Sequence, residues 1–312
     1  MEKIKAIFKK EDSFFSLNEG AKRRTHVFVA ILALIIIFVL TAISSKLLTL
    51  LFFEKDSSQL LIKKFTSAFF HFTFFILFTW LFIKFFEKRS FRTIGFIKDR
   101  ALKQYSKGFL IGFLLVTTSF LFIGLFSDVK IVTGAHQPNV YYSALTIFIA
   151  LLFFIVQGAS EEIVFRGWFM QTVGSRHWPW LGFLLSIIIF SAVHLPNAGI
   201  DVLAFLNIAL IATFLSVYVI KEKSLWGACG IHTSWNWVMG NVFGLNVSGN
   251  ESMGDSIVNL SLTGNKIYTG GKFGLEGSII VTIVIIAAIT FEIGYRKPVK
   301  YNLTNFKDGS NY

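Results

Sequence analysis

One cysteine in 312 residues, Cys229, excludes a disulfide framework and any site built from several thiolates, zinc fingers and iron–sulfur clusters included. Only 4 prolines interrupt the chain. Charged residues make up 15%, against about 25% in a typical soluble domain. What abounds is apolar: 54% of residues are hydrophobic, 37 Phe among them, and mean hydropathy is +0.63. A soluble chain of this length would ordinarily make two domains of about 150 residues. Such domains could not hide this much apolar surface, so the chain reads as a polytopic membrane protein. The net charge of +12 would also suit nucleic acid. In a membrane protein, however, Lys and Arg flank the spans on the cytoplasmic side, where anionic lipid lies. Membrane lipid is therefore the expected partner, and nucleic acid is not.

A span needs about 20 mostly apolar residues to cross a hydrocarbon core of about 30 Å. Eight runs are candidates: 27–43, 66–83, 108–126, 143–170, 180–194, 201–220, 226–245 and 278–294. The first follows a basic head of 26 residues without a convincing small-x-small cleavage site, so it reads as a retained span. Lys and Arg number 22 on one alternate set of connections and 7 on the other. That asymmetry predicts a multi-pass protein of the cell membrane with both termini cytoplasmic, in keeping with an even number of spans. The expected fold is an all-α helix bundle of about eight spans enclosing a polar cavity. Residues 1–90 would supply the head and two spans, and 91–312 the core and a short tail. No repeat or low-complexity tract is present.

The longest connection on the outer side, 246–277, carries Ile257, Leu260, Leu262, Ile267 and Tyr268 around the pair Gly264–Asn265. This pattern predicts a small hairpin with a tight turn. It reads either as a plain exterior loop or as a lid over a site.

Ionisable residues cost about 2.5–3.5 kcal/mol at the centre of a membrane helix, so their presence there needs a reason. The fourth run reads QGASEEIVFRGWF and carries Glu161, Glu162 and Arg166. Glu162 and Arg166, at i and i+4, share a face and can pair. Glu161 points about 100° away on a regular helix of 3.6 residues per turn, which would leave one carboxylate free to face a cavity. The fifth run ends IIIFSAVHLPN, with Phe190 four residues before His194. The seventh contains GACGIHTSWNWVMG, with His232 and Asn236 on one helix face. That spacing presents two groups to one ion or one oxyanion. His26, His71, His136 and His177 lack polar neighbours at helical spacing and read as packing residues.

Other intramembrane chemistries are absent. There is no H-E-x-x-H, and Ser160 sits in GASE rather than in a serine-nucleophile context. Asp255 lies in SMGD in an outer connection and has no partner Asp in a span. P-loop and dinucleotide glycine patterns are missing, and Gly227, Gly230, Gly240 and Gly244 read as helix-packing glycines.

Glu161-Glu162-x-x-x-Arg166, Phe190-x-x-x-His194 and His232-x-x-x-Asn236, in that order, resemble the three motifs of the CAAX protease and bacteriocin-processing family of intramembrane endopeptidases. The resemblance spans residues 90–294 best and takes in RTIGF–KGFLIGF and TGGKFGLEGS. It implies peptide-bond hydrolysis within the membrane, on a membrane-associated or lipidated peptide or protein. Carried over by motif, Glu161 is the general base, with Glu162 and Arg166 as its supporting pair. His194, His232 and Asn236 would bind a metal or stabilise the oxyanion. Two His with Glu161 or Asn236 would make an open zinc site, although an amide is a poor zinc ligand, so a metal-free mechanism stands beside it. Convergence of His194 and His232 requires the 180–194 helix to be short or tilted, or the chain to turn back at mid-depth. Pro196 and Gly199 permit such a turn. Two other readings compete: a non-catalytic protein of the same fold serving envelope regulation or bacteriocin immunity, and a proton-coupled transporter.

Overall fold

The structure, a computed structural model, describes residues 7–11, 13–53, 60–98, 100–132 and 140–299; His136 and the terminal GSNY lie outside them. The chain is a helical membrane bundle. Helix α1 spans Val27–Phe52, and α2 spans Leu60–Leu81, continuing as a π turn over Phe82–Glu87. Helix α3 is Ala101–Gly124. Helix α4 starts at Val140–Glu161 and runs through Glu162–Met170 to Gln171–Arg176. Then come α5 (Pro179–Ala192), α6 (Val202–Glu222), α7 (Trp226–Trp237, extended by a π turn at Val238–Val242) and α8 (Ile279–Gly294). Local chemistry sets several starts. Pro179 opens α5, where its missing N–H costs nothing, and Asp201 caps α6 by accepting from Ala204 N at 2.8 Å.

Of the eight expected runs, five correspond to helices long and apolar enough to cross a membrane: Val27–Phe52, Ile62–Glu87, Ala101–Gly124, Val140–Arg176 and Val202–Glu222. Pro179–Ala192 and Ile279–Gly294 are apolar but shorter. At 1.5 Å per residue, the 14-residue α5 reaches only about 21 Å, short of the hydrocarbon core. It ends in a compact turn over 193–200, which lets His194 stop well inside the bundle's depth.

The expected hairpin within 246–277 does not form. Strand β2 (Leu260–Thr263) pairs antiparallel with β1 (Asp128–Ile131) from a different connection, Asp128 opposite Thr263 and Ile131 opposite Leu260. After Gly264, Asn265 caps a single helical turn, Lys266–Thr269, by accepting from Ile267 N at 3.0 Å. The Gly-Asn pair thus starts a helical turn instead of reversing a hairpin, because the partner strand comes from far away in sequence.

The most extensive helix contact is α3 on α7. Gly108 and Gly227 let the two backbones meet: a Cβ at Gly108 would lie 1.9 Å from the Gly227 carbonyl oxygen. Gly230 does the same against the Tyr105 carbonyl, at 2.2 Å. In lipid, where apolar burial between helices gains little, such close backbone packing carries the association. Gly108→Ala is therefore expected to destabilise the bundle by about 1–3 kcal/mol, the range for overpacking. A fall in the melting temperature of detergent-solubilised protein measures it, and an unchanged value would mean that α3 and α7 can slide apart freely.

One face of the bundle collects the helix ends nearest the head and tail. Arg23 N donates to the Glu87 carbonyl, Val27 N to His177 Nε2, and Leu225 N to the Gly95 carbonyl. Phe14, Phe15 and Leu17 of the head are buried there. Beneath them Glu87 accepts from Arg89 Nε at 2.7 Å, Thr25 Oγ1 at 2.8 Å and Trp168 Nε1 at 3.2 Å. Arg89 Nη1 also donates to Gln171 Oε1 at 2.6 Å.

Candidate active site

Helix α4 changes its winding where the charged motif begins. Glu162–Met170 is π-helical, and all nine of its residues are buried. Segments of this kind are rare and recur at functional sites. Arg166 Nη1 donates to Glu162 Oε1 at 2.7 Å, and neither side chain has any exposed surface. The pair therefore lies in the interior and not at a solvated helix end.

His232 of α7 reaches both carboxylates. Its Nδ1 is 2.9 Å from Glu162 Oε1, and its Nε2 is 3.6 Å from Glu161 Oε2. Regular helical spacing set Glu161 and Glu162 well apart around the axis. His232 spans that separation because its two ring nitrogens lie on different edges of the imidazole, one toward each carboxylate.

Gln157, one turn before Glu161, locks the arrangement. Its Nε2 donates to Glu161 Oε1 at 2.6 Å, and its Oε1 accepts from Asn236 Nδ2 at 2.8 Å. Glu161 Oε2 takes no hydrogen bond from the described residues, although it is buried. Phe190 fills the space between the motifs. Its ring centroid lies 4.2 Å from the Arg166 guanidinium carbon and 4.8 Å from the His194 ring. His194 Nδ1 lies 2.8 Å from the Phe190 carbonyl oxygen. A carbonyl only accepts, so Nδ1 carries a proton and Nε2 is the nitrogen left for chemistry.

Glu161, His194, His232 and Asn236 line one cavity of about 1000 Å³. Glu162 and Arg166 lie behind its wall. Pattern reading passed over three groups. Gln157 belongs to the same QGASEE stretch and stands at i−4 from Glu161, which was a usable signal. His71 of α2 lines the cavity but sits alone among Phe residues, with nothing in the sequence to mark it. Glu276, from the connection before α8, also lines it. Its Oε1 accepts from Trp235 Nε1 at 3.0 Å, and its Oε2 from Ser248 N at 2.6 Å and Ser248 Oγ at 2.8 Å. Burial pushes the Glu276 carboxyl up, and the Ser248 and Trp235 hydrogen bonds hold it down. His26 and His177, by contrast, pack against one another at 4.7 Å, far from these groups in the fold.

Among the described residues, no three His, Cys, Asp or Glu side chains gather closely enough to hold a metal ion. His232 faces a carboxylate with each nitrogen, and Asn236 donates its Nδ2 to Gln157. These donors, as arranged, do not make the open zinc site that His194 and His232 with Glu161 or Asn236 were expected to form. No catalytic step is derived through a metal.

A carboxylate pair, an arginine, two histidines and an asparagine in and behind the wall of one cavity define the class: a multi-pass membrane protein with a polar site inside its helix bundle. Residues 143–238 match the family model described as "Type II CAAX prenyl endopeptidase Rce1-like". All three motifs fall within the matched residues, over which the chain is similar to that family. No curated protein and no solved structure matched the chain.

Proposed function

We propose that the protein is an intramembrane endopeptidase that hydrolyses a peptide bond in a membrane-associated substrate, with Glu161 as general base. The observation that carries this reading is Glu161 itself: a half-buried carboxylate on the cavity wall, anchored through Oε1 by Gln157 and unbonded at Oε2. Oε2 takes a proton from water, and the resulting hydroxide attacks the scissile carbonyl carbon. The C=O electron pair moves to oxygen, where the second N–H of Asn236 and His194 Nε2 are the candidate donors. Because His194 Nδ1 is committed to the Phe190 carbonyl, Nε2 donates only from the imidazolium form. The intermediate then collapses, the C–N bond breaks, and Glu161 returns its proton to the leaving amine.

Glu162, Arg166 and His232 hold that base in place. With His232 protonated, its Nδ1 donates to Glu162 Oε1 and its Nε2 edge faces Glu161, so that two cations balance two carboxylates. This division makes Glu161 the reacting group and Glu162 a positioning residue. The basic head and tail are read as cytoplasmic, as the distribution of Lys and Arg suggests.

Membranes of cells with and without the protein should differ in at least one peptide that stays uncut in its absence, which quantitative peptidomics detects. Asn236→Ala should slow cleavage of that peptide by about 10²–10³-fold, the usual loss for one oxyanion donor. Identical membrane peptides in both strains would remove the peptidase reading.

A further inference from the structure

We infer that the cavity opens on the extracytoplasmic side, so that the substrate is an exported peptide segment that enters from outside; this rests on the peptidase reading above. Two independent features of the fold point the same way. The face carrying the helix ends nearest the head and tail is sealed. Phe14 and Phe15 are fully buried in it, and the Glu87–Arg89–Gln171 network lies below them. On the same face, Lys221 Nζ closes the α6–α8 corner by donating to the carbonyls of Glu292, Ile293 and Arg296. None of these residues lines the cavity.

The cavity extends instead from the helix interiors toward the opposite helix ends. Thr49 comes from the last turn of α1, Lys63 and Lys64 from the first turns of α2, and Asn250 and Glu251 from the connection before α8. Lys64, Asn250 and Glu251 are exposed and mark the mouth. His71, seven residues below Lys64 on the same helix, is about 10 Å deeper and lies on the wall beside the site. The mouth therefore lies on the face opposite the sealed one.

Charge assigns the faces. Between the apolar runs of the sequence, 22 of the 30 Lys and Arg lie on the alternate set that includes the head and tail, and 7 on the other. The positive-inside rule then puts the mouth outside. A cytosolic chain end, prenylated or not, would have to pass the buried aromatic head and the Glu87–Arg89 network to reach Glu161. An exported leader or peptide meets no such barrier. At about 1000 Å³ the cavity stands at the top of the usual range for ligand pockets, about 300–1,000 Å³. Phe72, Phe153, Ile208 and Ile211 line it, which suits a short apolar stretch of such a peptide.

The test is thiol accessibility in whole cells, in a Cys229→Ala background that removes the one native thiol. Ser67→Cys, on the cavity wall, and Asn250→Cys, at the mouth, should react with a membrane-impermeant methanethiosulfonate reagent in intact cells. Lys297→Cys, exposed on the sealed face, should react only after permeabilisation. Glu251→Cys duplicates the mouth position should Asn250→Cys express poorly. Cleavage by the Ser67→Cys variant should be lost when intact cells are treated. The reverse labelling pattern overturns the inference. So does a reactive Asn250→Cys beside a Ser67→Cys that no reagent reaches from outside. Labelling is read independently of proteolysis, so the sidedness and the peptidase reading can fail separately.

Discussion

Glu161→Gln is expected to abolish peptide cleavage, by about 10²–10⁴-fold for loss of a general base, while leaving the protein folded. The substitution is isosteric, and the Gln157 side chain can still donate to the new amide oxygen at the 2.6 Å contact now made to Oε1. What disappears is a proton acceptor at the second position, which takes no hydrogen bond from the described residues. The His232–Glu162–Arg166 arrangement loses only its 3.6 Å contact to Glu161. Expression and melting temperature should therefore match the wild type, and the uncut substrate should accumulate as it does without the protein. An active Glu161→Gln variant would leave the mechanism without a base. A variant that loses solute uptake, in cells where no peptide is ever cut, would instead point to a transporter built on the same buried charges.

The membrane character and helical class were legible because both follow from composition and run length, which local sequence records directly. The motif residues were legible for a related reason: an ionisable group in lipid is conspicuous. Their mutual geometry was less so. The spacing of Glu161 and Glu162 did not reveal that one imidazole from α7 reaches both, and the π winding over Glu162–Met170 leaves no compositional trace. Strand β2 was similarly opaque. Its tendency to extend was visible in Leu260 and Leu262, but pairing with Asp128–Ile131 is a long-range choice that no local turn signal encodes. The shortness of α5, by contrast, was visible in the 180–194 run itself, and the helix spans Pro179–Ala192. His71 and Glu276 reach the cavity from segments without a motif pattern, so only tertiary packing brings them in.

Arg166→Ala should harm the fold itself. Glu162 and Arg166 have no exposed side-chain surface, and removing one partner of a buried ion pair costs about 3–5 kcal/mol because the survivor is stranded. The guanidinium also covers the Phe190 ring at 4.2 Å, so truncation opens space beside His194. Arg166→Lys keeps the charge but not the planar contact with that ring, and an intermediate loss is expected. The decisive comparison is the double variant Glu162→Gln with Arg166→Met, which removes both charges at roughly constant volume. If stranding is the main cost, the double variant should melt above Arg166→Ala, since no uncompensated carboxylate remains at position 162. It should nevertheless lose activity, because the carboxylate charge that holds His232 at 2.9 Å and faces it toward Glu161 is gone. Melting temperature in detergent and peptide cleavage, measured on all three variants, separate the structural share of the pair from the catalytic one. An Arg166→Ala protein as stable as the wild type would show that water reaches Glu162 and screens it, and the buried-pair account would fall.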